Sequence, residues 1–243
     1  MMNDSISIPI VGVMRSPYKE KFGIPRQPNL VEVESYIEMQ PPYDTEHAFE
    51  GLNAFSHIWL LWQFHQNKAQ DKQAFRAQVR PPRLGGNEKI GVFATRSMYR
   101  PAPIGLSVVK LKRIVREQGQ LRVYVVGSDL LDATPIVDIK PYIAYSDAIL
   151  DAQSSYAAQA PVLKTVHWQA QALAQQHEFL AQNLLSQQRL NELEQILALD
   201  PRPAYQNDPE RRYGLRFGEF NIHFFVQESD ILISEIQLEQ RGI

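Results

Sequence analysis

The 243-residue chain contains no cysteine. That excludes disulfide bridges, thiolate zinc sites and a cysteine nucleophile. Long apolar runs are missing as well. The longest, Ile58 to Trp62, has five residues, against the roughly 20 that a membrane-spanning helix needs. No glycine stands two residues from another, so the G-x-G turn of a dinucleotide-binding Rossmann unit is unsupported. The six histidines show no paired ligand spacing, and no metal is expected. Met1 to Ser5 lack a basic stretch followed by an apolar one. The expectation is therefore a soluble cytoplasmic protein with no membrane partner.

What is present is an uneven charge. The net charge is only −2, yet Arg76 to Arg116 holds ten basic residues and one acid, Glu88. A basic segment inside an otherwise acidic chain points to a polyanionic or phosphate-bearing partner, unless folding scatters it over several faces.

Strand signals dominate the first 145 residues. Ile6 to Val13 alternates apolar and polar residues, and Val31 to Met39 places Val31, Val33, Ser35 and Ile37 on one face. The continuous apolar run within His57 to Phe64 predicts a strand buried on both faces. Ile90 to Ala94, Gly105 to Val115 and Leu121 to Gly127 read as further strands, the last two joined as a hairpin around Glu117 to Gln120. Many short strands with Pro and Gly at the turns predict a closed or nearly closed β-barrel.

Near Ala152 the composition changes. Ala157 to Pro161 reads as a linker and Val162 to Trp168 as a strand. Leu173, His177, Leu180 and Leu184, then Leu190, Leu193 and Leu197, fall at helical spacing, with a break near Ser186 and a stop at Asp200 to Pro203. Phe217 to Gln227 and Ile231 to Leu238 form a strand pair turning at Glu228 to Asp230. The expected fold is mainly β: an N-terminal barrel over residues 1–155 and a small C-terminal α+β domain over 156–243.

One stretch concentrates unusual residues: Gly91 to Leu106, GVFATRSMYRPAPIGL. Val92 to Ala94 looks like the end of a buried strand, Arg96 and Arg100 sit among turn-formers, and Pro101 and Pro103 stiffen the backbone. It is either a charged ligand loop or a rigid barrel corner. Four other segments share this density: Arg15 to Gln27, Phe64 to Gln66, Arg80 to Gly86 and Asp129 to Asp147.

The motifs SPYKEKFGIPRQP, AFSHIWLLWQFHQ, VRPPRLGG, GVFATRSMYRPAPIGLSVVKL, LDATPIVDIKPY and DPRPAY resemble those of the TsaA-like family, specifically its longer bacterial TrmO members. The resemblance covers nearly the whole chain. Ala102 stands where the family usually has Asn in R-P-N-P-I-G, and Ala133 where it usually has Gly in D-G-T-P. The Ala133 change matters if that turn needs a positive φ.

The resemblance implies an S-adenosyl-L-methionine-dependent methyltransferase built on a TsaA-like β-barrel. It implies action on N6 of threonylcarbamoyladenosine at position 37, on the tRNA anticodon arm, by a homodimer. Cofactor contacts carry over to Pro25, Arg26, Gln27, His65, Gln66, Arg96 and Leu106, and to the turn Leu130, Leu131, Asp132, Ala133 and Thr134, mostly through backbone groups. Arg96 fits a cofactor carboxylate or a tRNA phosphate. His65 fits the cofactor or a backbone-satisfied core position.

The segment Asp138, Lys140, Pro141 and Tyr142 is loosely similar to the acid/amide–Pro–Pro–aromatic motif of other adenine-N6 methyltransferases. Asp138, or a carbonyl beside Pro141, is the expected proton acceptor, Tyr142 the stacking ring, and Lys140 the holder of a carboxylate or phosphate. An Asp138–Lys140 structural ion pair is the alternative. For tRNA the candidates are Arg76, Arg80, Arg83, Arg100, Lys110, Lys112 and Arg113. Arg202 and Tyr205 either extend that footprint or close a domain contact. Within the Gly91–Leu106 loop, Arg96 is expected to face the cofactor and Arg100 the RNA. Two other readings stay open: a non-catalytic RNA-binding barrel, and a small-molecule methyltransferase or cofactor sensor.

Overall fold

The computed structural model describes residues 6–67, 75–85, 87–203 and 206–239. The chain is mainly β. Six strands form one sheet: β1 (Gly12–Arg15), β2 (Glu34–Met39), β3 (His57–Gln63), β6 (Ile104–Glu117), β7 (Gln120–Val126) and β8 (Pro135–Pro141). They pair in the order β1-β2-β7-β6-β3-β8, and β8 returns to β1 through Gly12↔Ile136, so the sheet closes on itself. Its interior holds Met14, Ile37, Met39, Ile58, Leu60, Trp62, Val109, Val123, Val125 and Ile136.

The β6–β7 hairpin turns at Gln118 and Gly119, both at positive φ. That is the two-residue geometry whose twist matches its strands. β3 does not bury both faces as its apolar run predicts. Ile58, Leu60 and Trp62 point inward, while His57, Trp59 and Leu61 are only partly covered. The Ile6–Val13 alternation yields a strand only from Gly12, and Ile6, Ile8 and Ile10 are exposed. Val92–Ala94 is a single 3-10 turn with Phe93 72% exposed, not the end of a buried strand. It follows a short ribbon of β4 (Gln78–Val79) and β5 (Ile90–Gly91).

A second sheet runs β10-β11-β12-β9, with β9 (Thr165–Trp168), β10 (Tyr213–Phe217), β11 (Phe220–Gln227) and β12 (Asp230–Leu238). Beside α1 (Ala144–Asp147), two longer helices follow β9: α2 (Ala170–Ala181) and α3 (Gln187–Ala198). Ser186 ends the break between them by capping α3, its hydroxyl accepting from Arg189 N at 3.1 Å. Leu190, Leu193 and Leu197 are buried as their spacing predicts. In α2 the buried positions are Ala172 and Gln176, whereas Leu173 and His177 face outward, as does Leu184 beyond the helix end.

The two sheets are tied together. Tyr18, Val31 and Val33 from the first part of the chain lie in the same cluster as Phe217, Phe224 and Leu193. Glu34 N donates to Glu192 Oε1 at 3.0 Å, and Gly218 N to Pro17 O at 2.8 Å. This joint holds the loop Phe22 to Pro28 over the outer face of β3 and β6. Among the described residues no helix is long and apolar enough to cross a membrane.

Candidate active site

A cavity of about 570 Å³ opens between that loop, the outer face of β3 and β6, and the Arg96–Arg100 segment. Its size is that of an ordinary small-molecule site. Trp62, Phe64, Ile104, Leu106 and Leu131 supply apolar wall, and Arg26, Gln27, His65, Gln66, Arg96 and Asp129 supply polar groups. Gly105 is required here. A Cβ on it would lie 2.3 Å from the Trp62 ring, which stacks edge-on against Phe64 at 4.4 Å.

Residues distant in sequence converge on this space. Pro25, Arg26, Gln27, His65, Gln66, Arg96, Leu106, Leu131 and Thr134 all line it. Arg96 donates to the Gln27 side chain. The Nε2 of His65 is buried with no hydrogen-bond partner. Burial, and then the nearby Lys21 charge, hold the His65 pKa below its usual value, so the ring is neutral at neutral pH.

The turn after β7 contributes less than expected. Leu130 is fully buried in the core and its carbonyl accepts from Ser16 Oγ at 2.9 Å. Asp132 N donates to Tyr18 O and Ala133 N to Met14 O, both at 2.9 Å, and Thr134 N to Leu131 O at 3.2 Å. The Asp132 carboxylate accepts from Ser16 N at 3.0 Å and Lys19 Nζ at 2.9 Å. These backbone donors tie the turn to β1, so of the five residues only Leu131 and Thr134 line the cavity. Ala133 adopts φ +62°.

Asp129 joins the wall although the sequence reading passed over it. Ser107 Oγ donates to its Oδ1 at 2.6 Å. Burial pushes the carboxyl pKa up, against the pull of the Ser107 hydrogen bond. A desolvated carboxylate on the wall of an apolar cavity is the group that a cationic ligand would satisfy. The missed signal was Ser107, a polar residue within the otherwise apolar stretch Ile104–Val109.

Asp138, Lys140, Pro141 and Tyr142 do not line the cavity. They lie beyond Trp59, which does line it, pairs across the sheet with Lys140, and packs its ring 5.9 Å from that of Tyr142. Trp59 is in turn fixed by its Nε1 donating to Asp147 Oδ2 at 2.9 Å. Lys140 Nζ pairs with Asp138 Oδ2 at 2.8 Å, while Asp138 Oδ1 accepts from Ile139 N at 2.9 Å.

Among the basic candidates, Arg76, Arg80, Arg83, Lys110 and Lys112 are exposed. Arg83 donates to Gln159 O, and Arg76 lies 5.9 Å from the Tyr99 ring centre. Arg100 lines the same cavity as Arg96. Arg113 is held in a fork with Glu34 at 3.1 and 3.2 Å and stacks 3.6 Å over Tyr124. Of the two readings of Arg202, the placement fits the domain contact: it is 8% exposed, clamps Asp200 through two 2.8 Å bonds, and its carbonyl accepts from Arg26 Nη2 at 3.1 Å. Its Nη1 is buried with no hydrogen-bond partner, so the guanidinium sits in a packed corner and not on the surface. Tyr205 lies outside the described residues.

The chain is similar to known proteins over nearly its whole length. The tRNA-methyltransferase O N-terminal domain model matches residues 13–148, and the TrmO C-terminal domain model matches 161–239. A Pseudomonas aeruginosa protein, provisionally named an S-adenosylmethionine-dependent methyltransferase, is 46% identical over 228 residues, 93% of this chain and 95% of its own. The Escherichia coli tRNA (adenine(37)-N6)-methyltransferase is 42% identical over 226 residues, 90% of this chain and 92% of its own. The crystal structure of TrmO from Pseudomonas aeruginosa superposes with a TM-score of 0.78 at 38% identity, covering 96% of this chain and 97% of that one.

Proposed function

The chain belongs to the TrmO family, and on that premise we propose that it is an S-adenosylmethionine-dependent tRNA (adenine(37)-N6)-methyltransferase. The observation that carries the reading is a cavity of cofactor size whose lining gathers Pro25–Gln27, His65, Gln66, Arg96 and Leu106 from four separate segments. The substrate is an adenosine carrying the threonylcarbamoyl group, presented by the anticodon arm. The closed sheet is read as the TsaA-like barrel, over residues 1–155, with 156–243 as an appended α+β domain. The protein works as a homodimer in the cytoplasm.

The residues present fit the cofactor. An orphaned His65 Nε2, a desolvated Asp129 carboxylate and the cationic Arg26 and Arg96 share one apolar cavity. Arg96 and Arg26 would hold a carboxylate, Asp129 an ammonium group, and Trp62, Phe64 and Leu131 would exclude water. When bound, S-adenosylmethionine supplies an electrophilic methyl group.

The acceptor nitrogen is delocalised and weakly nucleophilic, so alignment has to supply much of the rate. Tyr142, held by Trp59, would stack on the extruded base and orient it toward the cavity. Asp138 Oδ2 would take the proton once Lys140 turns from it to the substrate's carboxylate.

The reading is tested by mass spectrometry of nucleosides from tRNA incubated with protein and S-adenosylmethionine, with and without threonylcarbamoylated adenosine. A gain of one methyl on that nucleoside alone is expected. Tight tRNA binding without gain would instead support a non-catalytic RNA-binding barrel. Cofactor binding without tRNA binding would support a small-molecule methyltransferase or sensor.

A further inference from the structure

The β4–β5 ribbon carries a feature that the cavity does not use. Beyond its paired residues Gln78↔Gly91, the two chains bring Phe75 and Phe93 together, ring centres 6.3 Å apart at 32°. Phe75 is 61% exposed and Phe93 72%, and Tyr99, whose ring centre lies 5.9 Å from the Arg76 guanidinium, is 42% exposed. The ribbon is extended by Val92 N donating to Ala77 O at 2.9 Å and is tied to the chain after β8 by Tyr156 donating to Ala94 O at 3.3 Å and Arg83 to Gln159 O. Two large rings held open on a fixed support are costly unless something covers them.

The charge around the pair selects the occupant. Arg76 follows Phe75 directly, Arg96 follows Phe93 by three residues, and Glu88 is the single acid from Arg76 to Arg116. A second copy of this chain docking here about a twofold axis would set these cations against themselves. A polyanion bearing flat apolar rings meets both requirements. Bases in a duplex keep their faces stacked on one another, whereas unpaired bases offer a free face to aromatic side chains.

We propose that Phe75 and Phe93 form a stacking platform for an unpaired nucleobase of the anticodon loop, adjoining the target adenosine. Phe93 and the cavity-lining Arg96 belong to one loop, so a base on the platform would set the register in which its neighbour reaches the cavity. This rests on the tRNA reading above and adds a loop contact that no phosphate-binding arginine provides.

The test uses the full-length protein and an anticodon stem–loop RNA with 2-aminopurine adjoining the target adenosine. Binding by the wild type should quench the reporter. Phe75→Ala with Phe93→Ala should abolish quenching and weaken binding about 5- to 150-fold, the span of one stacked base, and leave affinity for a fully paired RNA of equal length unchanged. Phe93→Trp should keep the quench, and Phe93→Leu, apolar but without a ring face, should lose it.

Unchanged loop binding and quenching in the double variant would overturn the platform, as would an equal loss on paired RNA. A change of oligomeric mass in light scattering with RNA binding intact would assign the face to a second copy instead. If wild-type protein neither binds nor methylates tRNA, the tRNA reading fails. If it methylates and the double variant binds normally, only the platform fails.

Discussion

Ser107 Oγ lies 2.6 Å from Asp129 Oδ1 and donates to it, because Trp62 Nε1 already donates to the same hydroxyl at 3.0 Å. The indole fixes the direction of the hydroxyl proton, and the hydroxyl fixes the carboxylate on the cavity wall. Burial raises the Asp129 pKa, so the ionised folded form is penalised relative to the unfolded chain. Stability contributed by this group therefore increases as pH falls through its folded pKa toward the ordinary value of 3.8. Asp129→Asn should remove that pH dependence and match or exceed wild-type stability at neutral pH by scanning calorimetry. The same variant should bind S-adenosylmethionine at least about tenfold more weakly, the worth of one charge-assisted hydrogen bond. Unaltered affinity by titration calorimetry would remove Asp129 from the site.

Ala133 holds φ +62°, a region that costs a residue with a Cβ roughly 1–2 kcal/mol. Its side chain is exposed, so nothing repays that cost. Ala133→Gly gives back part of the gain through the greater freedom of the unfolded chain, leaving a net stabilisation of about 0.5–1 kcal/mol. A melting temperature higher by roughly 1–4 °C is the expected result. Ala133→Val should do the opposite and loosen the hydrogen bonds from Asp132 and Ala133 to Tyr18 and Met14. A fall in melting temperature for the glycine variant would show that the strain is relieved elsewhere.

Much of this was legible in the sequence where local chemistry decides the outcome. Gln118-Gly119 announces its own turn, Ser186 its own cap, and Leu190, Leu193 and Leu197 their own buried stripe. The α2 stripe was misread because the helix lies close enough to the sheet for Ala172 and Gln176 to face inward. Polar groups on that helix bond the strand it covers, as in Ile236 N to Gln175 Oε1 at 3.0 Å, and hydropathy does not register such bonds.

The cavity's distant segments came from whole motifs. The roles of Asp129 and Asp132 did not. Three residues apart in one turn, one faces Ser107 and the cavity and the other faces Lys19, and only long-range pairing decides which. Arg202 stays open between two readings in the sequence for the same reason: its partner Asp200 is two residues away, but its burial is set by distant packing.

The Asp138–Lys140 pair separates two steps that a turnover assay merges. Lys140 is exposed, and its hydrogen bond to Asp138 raises its pKa, so the ammonium is charged at neutral pH and contributes little to stability in water. Lys140→Ala should melt with the wild type, yet raise the tRNA KM if Lys140 engages the substrate carboxylate. Asp138→Asn and Tyr142→Ala should lower the single-turnover methylation rate by about 10- to 100-fold with S-adenosylmethionine affinity unchanged. Wild-type single-turnover rates in both variants would leave the pair as a strand-end ornament and move the proton acceptor elsewhere.

Arg202 gives the sharpest contrast between structure and RNA contact. Burial alone would raise the Asp200 pKa, but the two bonds from Arg202 and the nearby Lys164 hold it below its usual value. The stability this supplies is fully present above the ordinary carboxylate range and is lost as pH falls through the depressed folded value. Arg202→Ala leaves Asp200 without its fork, and removing one partner of such a pair costs about 2–4 kcal/mol where the carboxylate keeps some solvent. The loss should be largest at neutral pH and shrink as pH falls through the depressed folded value. Arg202 O also accepts from Arg26 Nη2 at 3.1 Å, so loosening this corner should weaken S-adenosylmethionine binding through Arg26. At a temperature where the variant remains folded, the salt dependence of its tRNA affinity should match the wild type, because no phosphate contact has been removed. A salt slope lower by about one, with melting unchanged, would put Arg202 back on the RNA.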